Sequence, residues 1–290
     1  MSSLISLTIP AREADIGGMR VRRLLPYAKR RMIGPFIFLD HMGPAQYESG
    51  EGLDVRPHPH IGLSTLTYLF SGTITHRDSL GSHQDITPGA VNWMTAGQGI
   101  SHSERTGPAE RTHHHNIHGL QSWIALPREY EEQIPSFSHH EASLLPSATL
   151  NNVRLKVIAG AAYDMKAPVP VFGPLFYVEV FMPAGTRLPV TDDYPERGAY
   201  IISGDVAIND WAVEAGTLPV FLPDGQLTIE ARTDSHLVLL GGDALPEQRF
   251  IWWNFVSTSK DRIEQAKEDW RQGRFGTIPD DMNDALPLPE

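Results

Sequence analysis

Along most of the chain, apolar and polar residues alternate in short runs that stop at glycine or proline. Residues 18–45 read as strands punctuated by Pro26, Gly34, Pro35 and Gly43, and further short strands follow at 64–70, 73–76, 90–94 and 121–126. From residue 153 the same pattern returns in VRLKVIAG, LFYVEVFM, AYIISGDVAI, TLPVFL and HLVLL. Side chains two apart on a strand share a face, so regular short runs broken by turn residues predict an all-β chain folded as sandwiches or barrels. Between about 128 and 150 no period is sustained, and this polar, proline-broken stretch reads as the crossing to a second domain. Only the segment TSKDRIEQAKEDWRQGRFG departs from the β pattern: Thr258 or Ser259 caps a helix, Ile263, Ala266 and Trp270 share its apolar face, and Gly273 stops it.

The two halves repeat. TYLFSG (67–72) matches AYIISG (199–204), and PGAVNWMTAGQGISHSE matches EAGTLPVFLPDGQLTIE through its glycines. This alignment sets His58 against Val190, His60 against Asp192, His102 against Thr228 and Glu104 against Glu230. A duplicated β-barrel accounts for the length, and only the first copy carries imidazoles at these positions.

Composition narrows the chemistry. The chain has 290 residues, 41% of them hydrophobic, which is enough to build real cores. There is no cysteine, which excludes disulfides, thiolate-bound metals and a cysteine nucleophile, so a metal must be held by His, Asp or Glu. A net charge of −11 argues against a sequence-independent grip on nucleic acid, which runs on Lys and Arg neutralising phosphates. The basic cluster Arg20, Arg22, Arg23, Lys29, Arg30 and Arg31 reads as a solvated strand edge. With no signal-peptide pattern at the start and no apolar run of about 18 residues, the sequence predicts a soluble, cytoplasmic protein without membrane contact.

The candidate chemistry lies in two short pairs. His58 and His60 stand at i and i+2, and so do His102 and Glu104. If both strands lie side by side with these residues facing inward, three imidazoles and one carboxylate converge. Such a set suits first-row divalent ions, and an octahedral ion held by four protein groups keeps positions open for water, substrate or dioxygen.

HPHIGLSTLTYLFSGTITHRDSLG, continued by PGAVNWMTAGQGISHSE, resembles the signature of the pirin family of the cupin superfamily, as do MIGPFIFLDHMGP, HGLQSWIALP and WNFVSTSKDRIEQAKEDWRQGRFG. The resemblance implies a bicupin: a metal-binding N-terminal cupin over residues 1–130, and a C-terminal cupin without metal ligands over 150–290 that includes the terminal helix. It places the ligand role on His58, His60, His102 and Glu104. The implied cofactor is Fe(2+), with Mn, Ni, Cu or Zn as substitutes. The implied activity is a quercetin (flavonol) 2,3-dioxygenase that takes a small aromatic substrate and O2 and releases CO, with Glu104 as ligand and proton acceptor. The rival expectation is a metal-dependent regulatory protein that controls a protein partner without turnover.

One position departs from the family pattern. Many cupins place a glutamate four residues after the second histidine, where this chain has Ser64, whose parity with His58 and His60 would turn it into the cavity if the strand stayed regular through Gly62. His76 is expected to line the mouth or bond a turn, with a second expectation as an alternative base. The triplet His113, His114 and His115 reads as an exposed loop, His41 and Gln121 as packing or cavity lining, and Trp93 and Met94 as core.

Overall fold

The structure is a computed structural model and describes residues 4–290. Its described residues are dominated by antiparallel strands, with one α-helix at Lys260–Arg271, as the periodicity predicts. No helix among them is long and apolar enough to cross a membrane.

Two compact units emerge, and neither is contiguous in sequence. One comprises Glu13–Val21, Leu39–Ala142 and Pro246–Glu290; the other comprises Arg22–Phe38, Ser143–Leu245 and the described N-terminal residues through Arg12. Both chain ends therefore depart from the expected division at 1–130 and 150–290. The Ile5–Pro10 strand pairs with Thr217–Phe221 of the later half. The terminal helix buries Ile263 and Ala266 against Ile61, Phe255 and Phe275, in the unit that carries the histidine pairs. Where a terminal segment docks is decided by which apolar face needs covering, and sequence order carries no record of that.

In the histidine-bearing unit, one sheet runs through Ser136–His140, Val91–Thr95, Leu63–Ser71, His115–Ala125 and Phe36–Tyr47. A second sheet of four strands is ordered Asp54–His60, Ile100–Arg105, Ile74–Asp78, His83–Ile86. Its apolar interior gathers Met19, Val21, Met42, Leu53, Leu69, Ile74, Ile86 and Ile117. The Ser136–His140 strand falls in the stretch read as a crossing: SFSHH is half-buried on both faces, so no alternation betrays it.

The helix starts as its sequence dictates, with Ser259 Oγ accepting from the Arg262 amide at 3.3 Å, and Gly273 follows it in a left-handed conformation at φ 68°. Gly62 is the turn that matters most to the site. At φ 68° it separates the Asp54–His60 strand from the Leu63–Ser71 strand, and a Cβ there would run into the carbonyl oxygen of Val256. The parity of the first strand is therefore not carried into the second. Ser64 does not continue the face of His58 and His60: it is fully buried, and its hydroxyl is engaged by Thr95 Oγ1 at 3.1 Å.

The second unit repeats the plan, with a four-stranded sheet ordered Arg187–Pro189, Thr228–Ala231, Val206–Ile208, Trp211–Val213. Leu188, Val206, Ala207, Ile208, Val213, Ile229 and Ala231 are buried on it and Val190 just beyond it, while Asp192 is exposed and Thr228 and Glu230 are half-buried. The buried positions opposite the histidines are thus aliphatic. Glu230 instead pairs with Arg187 at 2.6 Å, so the alignment through glycines is off by one residue on this strand, enough to exchange its faces.

Candidate metal centre

Two neighbouring strands bring the pairs together. His102 lies directly opposite His58, but Glu104 lies opposite Val55, so the Asp54–His60 strand carries one extra residue between these pairings. Pro57 and Pro59 supply no amide hydrogen to a ladder, which makes this strand a natural place for a bulge. On its other side, Ile100–Arg105 sets Glu104 opposite His76 and His102 opposite Asp78.

Ligand atoms of His58, His60 and His102 lie within 4.8 Å of one another, as do those of a second trio, His76, His102 and Glu104, so His102 belongs to both. All five side chains are buried; His58 at 7% and Glu104 at 8% are the most accessible, against 1–2% for the rest.

Hydrogen bonding fixes the tautomers. His58 Nδ1 donates to the carbonyl of Arg56 at 2.8 Å, and His60 Nδ1 donates to the carbonyl of Asn254 at 3.2 Å, because a carbonyl can only accept. In the neutral ring each Nε2 is then an unprotonated lone pair. Burial pushes the His58 pKa down to about 4 and holds His60 and His102 well below the usual histidine range, so all three are neutral at pH 7.

The third imidazole is set from behind. Asp78 Oδ2 accepts from His76 Nε2 at 3.0 Å, while its Oδ1 accepts the amides of Leu80 and Ser82 at 2.9 and 3.0 Å. Burial raises the Asp78 pKa, but the hydrogen bonds from His76 and Ser82 outweigh it and the net shift is downward, so this group is a carboxylate that can only accept. With its Nε2 proton given to Asp78, His76 presents Nδ1 to His102 Nδ1, 3.4 Å away, and in the tautomer where His102 donates at this contact its Nε2 is a lone pair. That nitrogen faces His60 Nε2 at 3.1 Å. Two lone pairs facing each other across that gap repel, and a cation between them turns the repulsion into ligation. The donor set fits a divalent metal on this ground.

Glu104 belongs to the second trio, with His76 and His102, and not to that of His58 and His60. Burial raises its pKa, partly offset by a hydrogen bond from Thr67, whose Oγ1 donates to Oε1 at 2.8 Å. Thr67 also meets the Gln121 side-chain amide at 2.9 Å. A hydroxyl has one proton, so with that proton on Glu104 the Gln121 amide must turn an N–H toward Thr67. Gln121 thereby orients a hydroxyl at the site, a role its sequence context did not suggest.

Aromatic rings wall the cluster. Phe137 stacks on His76 with centroids 4.4 Å apart, and Trp123 meets His60 edge-on at 5.0 Å. His113 and His114 are exposed as expected, whereas His115 is buried and stacked on Tyr47 at 5.3 Å. Trp93 and Met94 are core residues at 1% exposure each.

Comparison with known proteins gives one consistent result. A family model described as Pirin matches residues 18–124, and one described as Pirin C-terminal cupin domain matches 177–276. A pirin-like protein of Caulobacter vibrioides is 50% identical over 99% of this chain and 100% of its own length. Mouse pirin is 30% identical, over 95% of this chain and 94% of its own. The crystal structure of a quercetin 2,3-dioxygenase from Acinetobacter baumannii superimposes with a TM-score of 0.90 at 37% identity, covering 98% of this chain and 95% of that one.

Proposed function

The chain belongs to the pirin family, and from that premise we propose that it is a metal-dependent flavonol 2,3-dioxygenase whose single ion is held by His58, His60, His102 and Glu104 in the first cupin. The observation that carries the reading is the set of three neutral imidazoles whose tautomers leave lone pairs turned to a common point beside a buried carboxylate. The likeness to a quercetin 2,3-dioxygenase over nearly the whole chain supports the substrate class.

A bound divalent ion, Fe(2+) in this reading, would supply Lewis acidity and access to dioxygen chemistry. The chain's own residues do the rest. His58 and Glu104, the most accessible of the cluster, face the side from which a flat aromatic substrate enters. Glu104 Oε1 is held by Thr67, which leaves Oε2 to take the proton of the flavonol 3-hydroxyl. Burial raises the Glu104 pKa, which favours its service as a proton acceptor. Phe137 and Trp123 keep the surroundings dry, so the deprotonated substrate meets little competing water. Dioxygen adds across the heterocycle, the ring opens, and carbon monoxide leaves.

Protein loaded anaerobically with iron, manganese, nickel or copper and then given quercetin in air tests this. Quercetin-dependent oxygen uptake matched by carbon monoxide release is expected with at least one metal. No uptake with any of them removes the enzyme reading and leaves a metal-dependent binding protein.

A further inference from the structure

The strand that carries His102 and Glu104 has an outer face, and the chain's last residues close over it. Ser101, Ser103 and Arg105 alternate with the two candidate ligands, and each bonds to the C-terminal segment. Ser101 Oγ donates to the Phe275 carbonyl at 3.4 Å. Ser103 Oγ donates to Asp281 Oδ2 at 2.6 Å. Arg105 grips both oxygens of Asp281, Nε to Oδ2 at 3.0 Å and Nη2 to Oδ1 at 2.9 Å, and also reaches Asp284 at 2.7 Å and Asp54 at 3.2 Å. The other ligand strand is held too: the Leu286 amide donates to the carbonyl of Pro57, next to His58, at 2.8 Å. The segment is itself anchored, with Trp270 Nε1 donating to the Leu286 carbonyl at 2.9 Å and Phe275 and Ile278 buried.

We propose that Asp281 is a positioning residue for the metal centre: with the 275–286 segment it straps the two ligand strands from outside the barrel and sets how fast the ion escapes. The inference rests on the metal site proposed above. Asp281 touches neither ion nor substrate and acts through Ser103, the residue between His102 and Glu104, and through Arg105, the residue after Glu104. Its grip is strong for a near-surface pair. The carboxylate and guanidinium side chains are only 13% and 17% exposed, the geometry is bidentate, and a serine hydroxyl adds a third bond. Burial raises the Asp281 pKa, but the bonds from Arg105 and Ser103 outweigh it and hold the group below the usual carboxylate range, so the strap stays charged and closed at neutral pH. An ion leaves such a site as its ligands let go in succession, and movement of the strands that carry them makes each release easier. A strap across both strands resists that parting.

The test uses the full-length chain loaded with cobalt(II), whose visible spectrum reports ligand geometry, and measures the half-time of transfer to excess EDTA. Asp281→Asn keeps the size and removes the charge-assisted grip. It should shorten the half-time about 10-fold or more and shift the cobalt spectrum, since outer-shell partners of metal ligands are typically worth about 10–100-fold in affinity. Ser103→Ala, which leaves the Arg105 pair intact, should give a smaller change in the same direction. Circular dichroism should show both metal-free variants folded at the assay temperature, with Asp281→Asn unfolding at a lower temperature than wild type because a mostly buried pair is broken. If cobalt leaves Asp281→Asn at the wild-type rate with an unchanged spectrum, the strap has no hold on the site and the inference is overturned while the metal centre stands. If the wild-type chain takes up no cobalt, the metal centre and the strap fall together.

Discussion

Replacing Asp78 by asparagine changes one oxygen for an NH2 group two side chains away from the proposed ion, and the proton count makes its effect large. The two backbone amides of Leu80 and Ser82 need an acceptor, so the asparagine oxygen must take the place of Oδ1 and its NH2 must face His76 Nε2. His76 then has to accept at Nε2 and move its proton to Nδ1. There it confronts the proton on His102 Nδ1 across 3.4 Å. Relief requires either that His102 carry its proton on Nε2, where it cannot ligate, or that the two rings part. Either route costs about one mismatched buried donor, on the order of 1–3 kcal/mol, because Asp78 and His76 are 0% and 2% exposed and water cannot step in. Divided by the roughly 1.4 kcal/mol of a tenfold change, that is about 10–100-fold in metal affinity, in line with the effect of outer-shell partners elsewhere. Competition for the metal against a calibrated chelator, run on wild type and Asp78→Asn side by side, reads this directly. An affinity within about threefold of wild type, with the variant folded, would refute the tautomer chain from Asp78 through His76 to His102.

Two further predictions follow from the same geometry. Glu104→Gln should cut iron-normalised turnover of quercetin by about 10²–10⁴-fold while lowering iron occupancy much less, because an amide oxygen still ligates weakly but takes no proton; an unchanged rate per bound iron would move the base elsewhere, with His76 next in line. The metal-free chain should lose stability as pH falls through 6.5. With its pKa pushed down from 6.5 to about 4, buried His58 binds fewer protons folded than unfolded between those values, so stability declines by about 3 kcal/mol from this group before levelling below pH 4, and His60 and His102 act in the same direction. Urea unfolding of metal-free protein between pH 7 and 4 measures it, and a flat profile would mean that the rings are not held neutral.

The reach of the sequence differs from element to element, for physical reasons. Two histidines, and a histidine with a glutamate, at a spacing of two announce a shared strand face, and the structure gathers His58, His60 and His102 accordingly. The helix was legible because its cap, stripe and stop are local signals. His76 is conspicuous in the sequence, but its partnership with His102, 26 residues away, depends on a register between strands that local pattern does not carry. Ser64 was misplaced because a single left-handed glycine resets the alternation. In the second unit Val190 is buried as its alignment with His58 implies, but Ile229, rather than the aligned Thr228, fills the interior. The strap was beyond reach altogether: Ser103 and Asp281 are 178 residues apart, and nothing near either one marks the other.

The central claim is one metal ion per chain, held by the first cupin alone, and elemental analysis after anaerobic loading and removal of loose metal tests it most directly. Wild type should hold one ion per chain and a folded His102→Ala variant essentially none, because the second unit offers aliphatic side chains where the first offers imidazoles. Two tightly held ions per chain, or one retained by His102→Ala, would contradict the account.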